Sequence, residues 1–188
     1  MKVKLNPMFE EARGQLGDLV FREVRGKTFA GRKPSGSGEP TADQTAQRER
    51  FKQAAAYGKS ALANESTRAL YEAAAKNKDM PVFAATIADF FNAPVIDALD
   101  LVLYNGQEGD PITVSARDDF AVMNVHVSIT DEQLNPIESG NAVETSAGSG
   151  RWVYTATTSV APDTNVLIKA VATDRPGGTA VKSEAKNF

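Results

Sequence analysis

Hydrophobic and polar positions change their period twice along the chain. The first segment alternates in short runs: Asp18-Leu19-Val20-Phe21-Arg22-Glu23-Val24 has strand-forming content, Arg25-Gly26 makes a turn, and Lys27–Lys33 can return antiparallel. This predicts a β-hairpin with basic residues at its tip and exit. Before it, Asn6-Pro7 can start a short helix that Gly14 and Gly17 end. After it, Pro34–Pro40 is rich in Gly and Ser and reads as a flexible connector.

From Thr41 the period becomes helical. Thr41-Ala42-Asp43-Gln44 reads as a capping box, with the Thr41 hydroxyl and the Gln44 side chain satisfying orphan N–H groups reciprocally. Phe51, Ala54, Ala55, Gly58, Ala61 and Leu62 then share one face. A second helix is expected over about 66–76, striped by Leu70, Ala73 and Ala74. A third starts at Met80-Pro81, carries Phe83, Ile87, Phe90 and Phe91, and stops before Asn92-Ala93-Pro94. Three short alanine-rich helices offer little apolar area per turn, so the bundle needs the hairpin, the C-terminal module or another chain against it.

From about Pro94 the period is two. Leu99, Leu101 and Leu103 alternate with polar or smaller residues, as do Ile112, Val114 and Ala116. The clearest run is Met123, Val125, Val127 and Ile129, and further strands are expected at Ile137–Glu144, Trp152–Ala156, Val166–Thr173 and Thr179–Ala185. Turn signals separate them, among them Asn105-Gly106 and Pro176-Gly177-Gly178. Six or seven short strands at this spacing predict an antiparallel sandwich. The fold class is therefore α+β, with a hairpin and helical module over 1–93 and a sandwich over 94–188.

Two resemblances follow. Asp118–Val122, Val125–Ile129, Gly150-Arg151-Trp152-Val153-Tyr154 and Ala172–Gly178 resemble bacterial immunoglobulin-like and fibronectin-III-like modules over roughly the last 90 residues. The resemblance implies an Ig-like fold with no catalytic residues. Gly14-x-x-Gly17, Leu19-Val20-Phe21, Gly26-Lys27-Thr28, Arg32-x-Pro34, Thr41-x-x-Gln44 and Arg48-x-x-Phe51 are similar to an uncharacterised bacterial and phage-associated protein family, which implies organisation and no activity.

Composition narrows the chemistry. The 188 residues include no cysteine, which excludes disulfides, thiolate metal sites and cysteine nucleophiles, and a single histidine, His126. His126 is expected on the polar face of its strand, without a catalytic partner. The net charge of −3 is unevenly spread: residues 1–79 hold 15 Lys/Arg and 10 Asp/Glu (+5), and residues 80–188 hold 6 and 14 (−8). Such asymmetry suggests modules with different surroundings. Met1–Gly17 lacks the apolar core of a usual signal peptide, so synthesis in the cytoplasm is expected, with a virion or extracellular assembly as a final location. No segment reaches the length for a membrane span.

Several motifs have the composition of sites. Gly26-Lys27-Thr28 ends like a phosphate-binding loop, but Phe21 stands where that loop needs Gly, and an extended segment follows. Phe21, Arg22, Arg25, Lys27, Phe29, Arg32 and Lys33 form a basic and aromatic cluster suited to subunit contact or to nucleic acid. Asp118, Asp119 and Asp174 are expected near one end of the sandwich, where they would give calcium an incomplete shell. No cofactor, metal requirement or small-molecule substrate is evident.

The leading expectation is a non-enzymatic structural protein that repeats as a homo-oligomer through its N-terminal module, in a virion-like particle, filament or surface array. The alternative is a nucleic-acid-associated accessory protein using the basic hairpin. A third reading, glycan binding by sandwich loops, has few aromatic platforms, since Trp152 and Tyr154 look like core.

Overall fold

The structure is a computed structural model that describes residues 14–24, 26–33 and 38–188. The helix expected at Asn6-Pro7, the turn residue Arg25 and most of the Ser/Gly connector lie outside these. The chain divides into two compact units, 1–46 and 47–188. The change of period near residue 94 falls inside the second, where helices and sandwich belong together.

The first unit is a three-stranded antiparallel sheet in sequential order: β1 (Gly14–Leu16), β2 (Leu19–Val24) and β3 (Lys27–Arg32). The expected hairpin is present, with Gly26 at φ +69°, a conformation suited to glycine in a two-residue turn. Gly14 and Gly17 flank the short β1, and Gly17, at φ +59°, turns the chain from Leu16 to the directly opposed Leu19. A run of only three strand residues carries too little alternation to be read from sequence.

The helices are α1 (Ala42–Ala63), whose first turn falls in the first unit and the rest in the second, then α2 (Glu65–Asn77) and α3 (Val82–Phe91). The capping box forms: Gln44 N–H donates to Thr41 Oγ1 at 3.3 Å and Thr41 N–H to Gln44 Oε1 at 3.2 Å. Ala54, Gly58 and Ala61 are the buried stripe of α1, while Phe51 is exposed. A Cβ at Gly58 would lie 2.5 Å from Thr86 Oγ1 and 3.0 Å from Phe83 Cε2, so glycine lets α3 approach α1. Thr86 is fully buried and its hydroxyl donates to the Phe83 carbonyl at 2.8 Å, so it has nowhere to go. On a free helix Gly→Ala gains about 1 kcal/mol. Here overpacking of about 1–3 kcal/mol opposes it, and Gly58→Ala is expected to lower the urea midpoint. A raised midpoint would contradict the close approach.

Two helical stripes differ from expectation. In α2, Tyr71 and Ala75 are buried and Leu70 is exposed. In α3, Ala85, Thr86 and Asp89 are innermost, while Phe83 stands partly in solvent. In each helix one buried position, Tyr71 or Asp89, joins a hydrogen-bonded centre described below, which hydrophobicity alone does not signal.

The sandwich consists of β4 (Val95–Asp100), β5 (Pro111–Arg117), β6 (Val122–Asp131), β7 (Pro136–Asn141), β8 (Val143–Glu144), β9 (Arg151–Thr155), β10 (Asn165–Asp174) and β11 (Thr179–Asn187). One sheet has the order β4-β5-β9-β8 and the other β11-β10-β6-β7. Labelled in chain order, these are A-B-E-D against G-F-C plus one strand, the order of immunoglobulin-type sandwiches. The core alternates as the period demands: Ile112 and Val114 on β5, Val125, Val127 and Ile129 on β6, Trp152 and Tyr154 on β9, Val166, Ile168, Ala170 and Ala172 on β10. Met123 and Leu103 do not join it. Leu103 lies beyond the end of β4, where the loop turns Tyr104 inward instead, and Phe188 packs edge-on to that ring at 5.1 Å.

Candidate functional site

Register assigns the side chains of the N-terminal sheet to faces, because directly opposed residues share a side and neighbours along a strand alternate. The pairs Gly14↔Phe21, Leu16↔Leu19, Phe21↔Ala30 and Leu19↔Arg32 place Leu16, Leu19, Phe21 and Ala30 on one face, with Arg32 at its border. The pairs Arg22↔Phe29 and Val20↔Gly31 place Val20, Arg22 and Phe29 on the other, together with Lys27.

The basic and aromatic cluster expected from sequence is thus divided. Arg22, Lys27 and Phe29 come together; Phe21 and Arg32 lie opposite; Arg25 lies outside the described residues. Lys33 follows the hairpin, its backbone N–H donating to the Asp18 carbonyl at 2.7 Å. That bond fixes which groups of β3 point away from β2. Alternation from it leaves the backbone groups of Thr28, Ala30 and Arg32 on the outer edge.

Neither face is deeply covered. None of the residues 14–23 and 26–33 is buried, and Leu16 is 68% exposed. A sheet with one apolar face normally packs it on a second layer. Here Leu16, Leu19 and Phe21 are exposed or half-buried, and the outer edge of β3 pairs with no strand among the described residues.

The other residues singled out from sequence fall as follows. Gly26-Lys27-Thr28 is the hairpin turn and its exit strand, with no helix after it. His126 sits at the surface, its Nδ1 3.0 Å from Asn141 Oδ1. Asp118 and Asp174 do share an end of the sandwich, but their oxygens hold turns. Asp118 Oδ1 accepts from Phe120 and Ala121 N–H at 2.7 and 3.0 Å, and Asp174 Oδ1 from Gly177 and Gly178 N–H at 2.8 and 2.5 Å. Asp119 turns outward to Asn92, whose amide donates to it at 2.9 Å. Among the described residues no group of three or more acidic or histidine side chains is arranged to hold a metal ion, so the calcium arrangement does not assemble.

A cleft of about 300 Å³ opens at this end, between residues 116–122 and 144–150. Glu144 lines it and pins its rim, accepting from Gly148 and Gly150 N–H at 3.2 and 2.9 Å. Glu144 and Asp118 Oδ1 thus serve the loops of the cleft, Arg117 pairs with Asp97 at 3.0 Å, and Asp118 Oδ2 is buried without a partner.

The least expected feature joins helices and sandwich. Asp89 is fully buried, the Tyr71 hydroxyl donates to its Oδ2, and the Tyr57 hydroxyl lies 2.7 Å from that of Tyr71. Asp89 Oδ1 has no partner. Burial pushes the Asp89 carboxyl up to about 6; the Tyr71 bond pulls it down, the Asp118 and Asp174 charges raise it, and Arg175 lowers it. Burial likewise raises Asp174, against the two glycine N–H bonds. Tyr71 is raised by burial and by its bond to Asp89. Phe120 packs on the Tyr71 ring at 5.8 Å, and Lys78 Nζ donates to the Asp119 carbonyl at 2.9 Å. The centre therefore sutures the helical layer to the B–C and F–G loops. The one sequence signal for it was the Asp in the apolar stretch Ala85–Phe91.

No family model and no curated protein matches the chain. Among solved structures it is similar to the tetra-tandem repeat in the extending region of a large adhesion protein, at 19% identity and a TM-score of 0.35, over 52% of this chain and 24% of that one. The match therefore spans about a quarter of that structure's length, and it is a loose likeness of β-rich architecture. Among the described residues no helix is long and apolar enough to cross a membrane.

Proposed function

We propose that this is a non-enzymatic structural protein that self-associates through its N-terminal sheet. The observation that carries the reading is the face formed by Leu16, Leu19, Phe21 and Ala30, beneath which none of the described residues of its own unit is buried. Covering a Leu or Phe is worth about 1.5–3 kcal/mol. Association costs about 4–15 kcal/mol in lost rigid-body freedom. Three such side chains from one copy supply at most about 5–9 kcal/mol, in the lower part of that cost, whereas a self-complementary contact brings six, and the outer edge of β3 adds strand bonds. A repeating assembly such as a particle, filament or surface array needs such contacts.

Sedimentation over a wide protein concentration range tests this. The native chain is expected to form species larger than a monomer, and Leu16→Ser with Phe21→Ser to remain monomeric with an unchanged circular dichroism spectrum. A native chain that stays monomeric throughout would refute the proposal. A nucleic-acid role has one observation in its favour, the grouping of Arg22 and Lys27 around Phe29. It predicts binding to DNA or RNA that falls steeply with salt.

A further inference from the structure

The opposite face of the N-terminal sheet has its own chemistry, and the far end of the sandwich matches it. On that face Phe29 has Arg22 directly across, about 5 Å away, and Lys27 about 7 Å along its own strand. Phe29 is 39% exposed, and both basic residues are exposed.

The helices meet the sandwich at the end carrying Asp118 and Asp174. The other end consists of the loops 100–110, 131–135 and 156–164, between β4 and β5, β6 and β7, and β9 and β10. Together they hold Asp100, Glu108, Asp110, Asp131, Glu132 and Asp163, and no Lys or Arg. Val102, Leu103 and Leu134 stand exposed on the same loops, Val102 at 79%. Asp131 is held below the usual carboxylate range by its bonds from Asn135 and Gln133, so that charge persists in mild acid. Lys186 of β11 donates its Nζ to the Leu101 and Tyr104 carbonyls at this end and offsets one of these charges, so an excess of negative charge stands beside apolar tips, and the sheet face combines positive charge with an aromatic ring.

We propose that the face bearing Arg22, Lys27 and Phe29 docks on the loops 100–110 and 131–135 of a second copy, giving a head-to-tail contact. This rests on the self-association proposed above and names its second surface. The donor and acceptor patches differ, so the contact is heterologous and leaves one of each free on every pair, which propagates a chain or closes a ring. A sheet face of three short strands covers roughly 300 Å², below the roughly 800 Å² per partner of a stable pair. The contact is therefore weak singly and effective when repeated, with the apolar face supplying the other joint.

A charge swap tests it. One variant carries Arg22→Glu and Lys27→Glu; the other carries Glu108→Lys and Glu132→Lys. Circular dichroism confirms that each folds. Light scattering at low salt is expected to show species beyond the dimer for the native chain, lost on adding salt. Each variant alone is expected to weaken that growth about tenfold or more, while keeping the salt-insensitive dimer of the apolar face. Mixing the two is expected to restore heterologous pairing. Growth that is unchanged in both variants would overturn the contact and leave self-association standing. Loss in both without rescue on mixing would overturn the pairing. In Leu16→Ser/Phe21→Ser the salt-insensitive dimer is expected to be lost and, because the head-to-tail contact is weak singly, growth with it; growth that persists in that variant would overturn the dependence of this contact on the apolar joint. Salt-sensitive binding of a single-stranded DNA oligonucleotide, abolished by Arg22→Glu/Lys27→Glu in a chain that does not grow, would replace the second copy with nucleic acid.

Discussion

Asp89→Asn is expected to remove a fall in stability of about 3 kcal/mol that the native chain undergoes between about pH 4 and pH 7. The carboxyl is pushed up to about 6 in the folded protein, chiefly by burial. Unfolded, it titrates near the ordinary value of about 3.9. The folded state therefore holds this proton more tightly. Its contribution is fully present below about pH 4, declines as pH rises through about 6, and is gone above that. Asn keeps an acceptor for the Tyr71 hydroxyl and cannot ionise. Other carboxyls titrate in the same range, so the measurement is the difference between variant and native urea midpoints across pH. A constant difference would show that Asp89 does not titrate with folding. Tyr71→Phe removes the hydroxyl that donates to Asp89 Oδ2, and Asp89 Oδ1 already lacks a partner. It is expected to cost about 3 kcal/mol, and more above pH 6 than below.

Asp174→Ala is expected to cost about 2–4 kcal/mol, and Asp174→Asn to recover most of it. Asp174 is buried at the end of β10, and its Oδ1 takes both Gly177 and Gly178 N–H. Alanine would strand two donors in the β10–β11 turn. A Cβ at Gly178 would lie 2.5 Å from Asp174 Oδ2, so turn and carboxylate fit only with glycine there. Asn retains the acceptor and drops a charge that burial disfavours. Chemical denaturation of both variants separates these effects. An Asn variant as damaged as the Ala variant would assign the stability to charge and not to the hydrogen bonds.

These two carboxyls also mark where sequence reading succeeds and where it stops. Alternation located most of the sandwich strands, because both sheets bury one face and a period of two has no other use at Val125, Val127 and Ile129; the single strand expected at Ile137–Glu144 is instead split at Ala142, with β7 in one sheet and β8 in the other. The Thr41–Gln44 box fixed the start of α1, since capping is a local interaction. The hairpin was legible from Arg25-Gly26 between two extended runs. The buried faces of α2 and α3 were not, because Tyr71 and Asp89 are inside for the sake of a bond to each other. Pairing of that kind depends on two helices meeting and leaves no periodic trace. The basic cluster was found as a set of residues but not as a surface: only register shows that Arg22 and Phe29 face one way and Phe21 the other. The acidic loops at the far end are separate in sequence, and the topology of the sandwich gathers them.

The central claim is that the face carrying Leu16, Leu19, Phe21 and Ala30 is covered by another copy of the chain. The native chain has no cysteine, so Ala30→Cys introduces a single thiol on that face, and its rate of reaction with a maleimide reports burial directly. The rate is expected to be high in dilute protein and to fall as concentration rises, in step with the growth of larger species. A thiol that reacts equally fast at every concentration would contradict the claim.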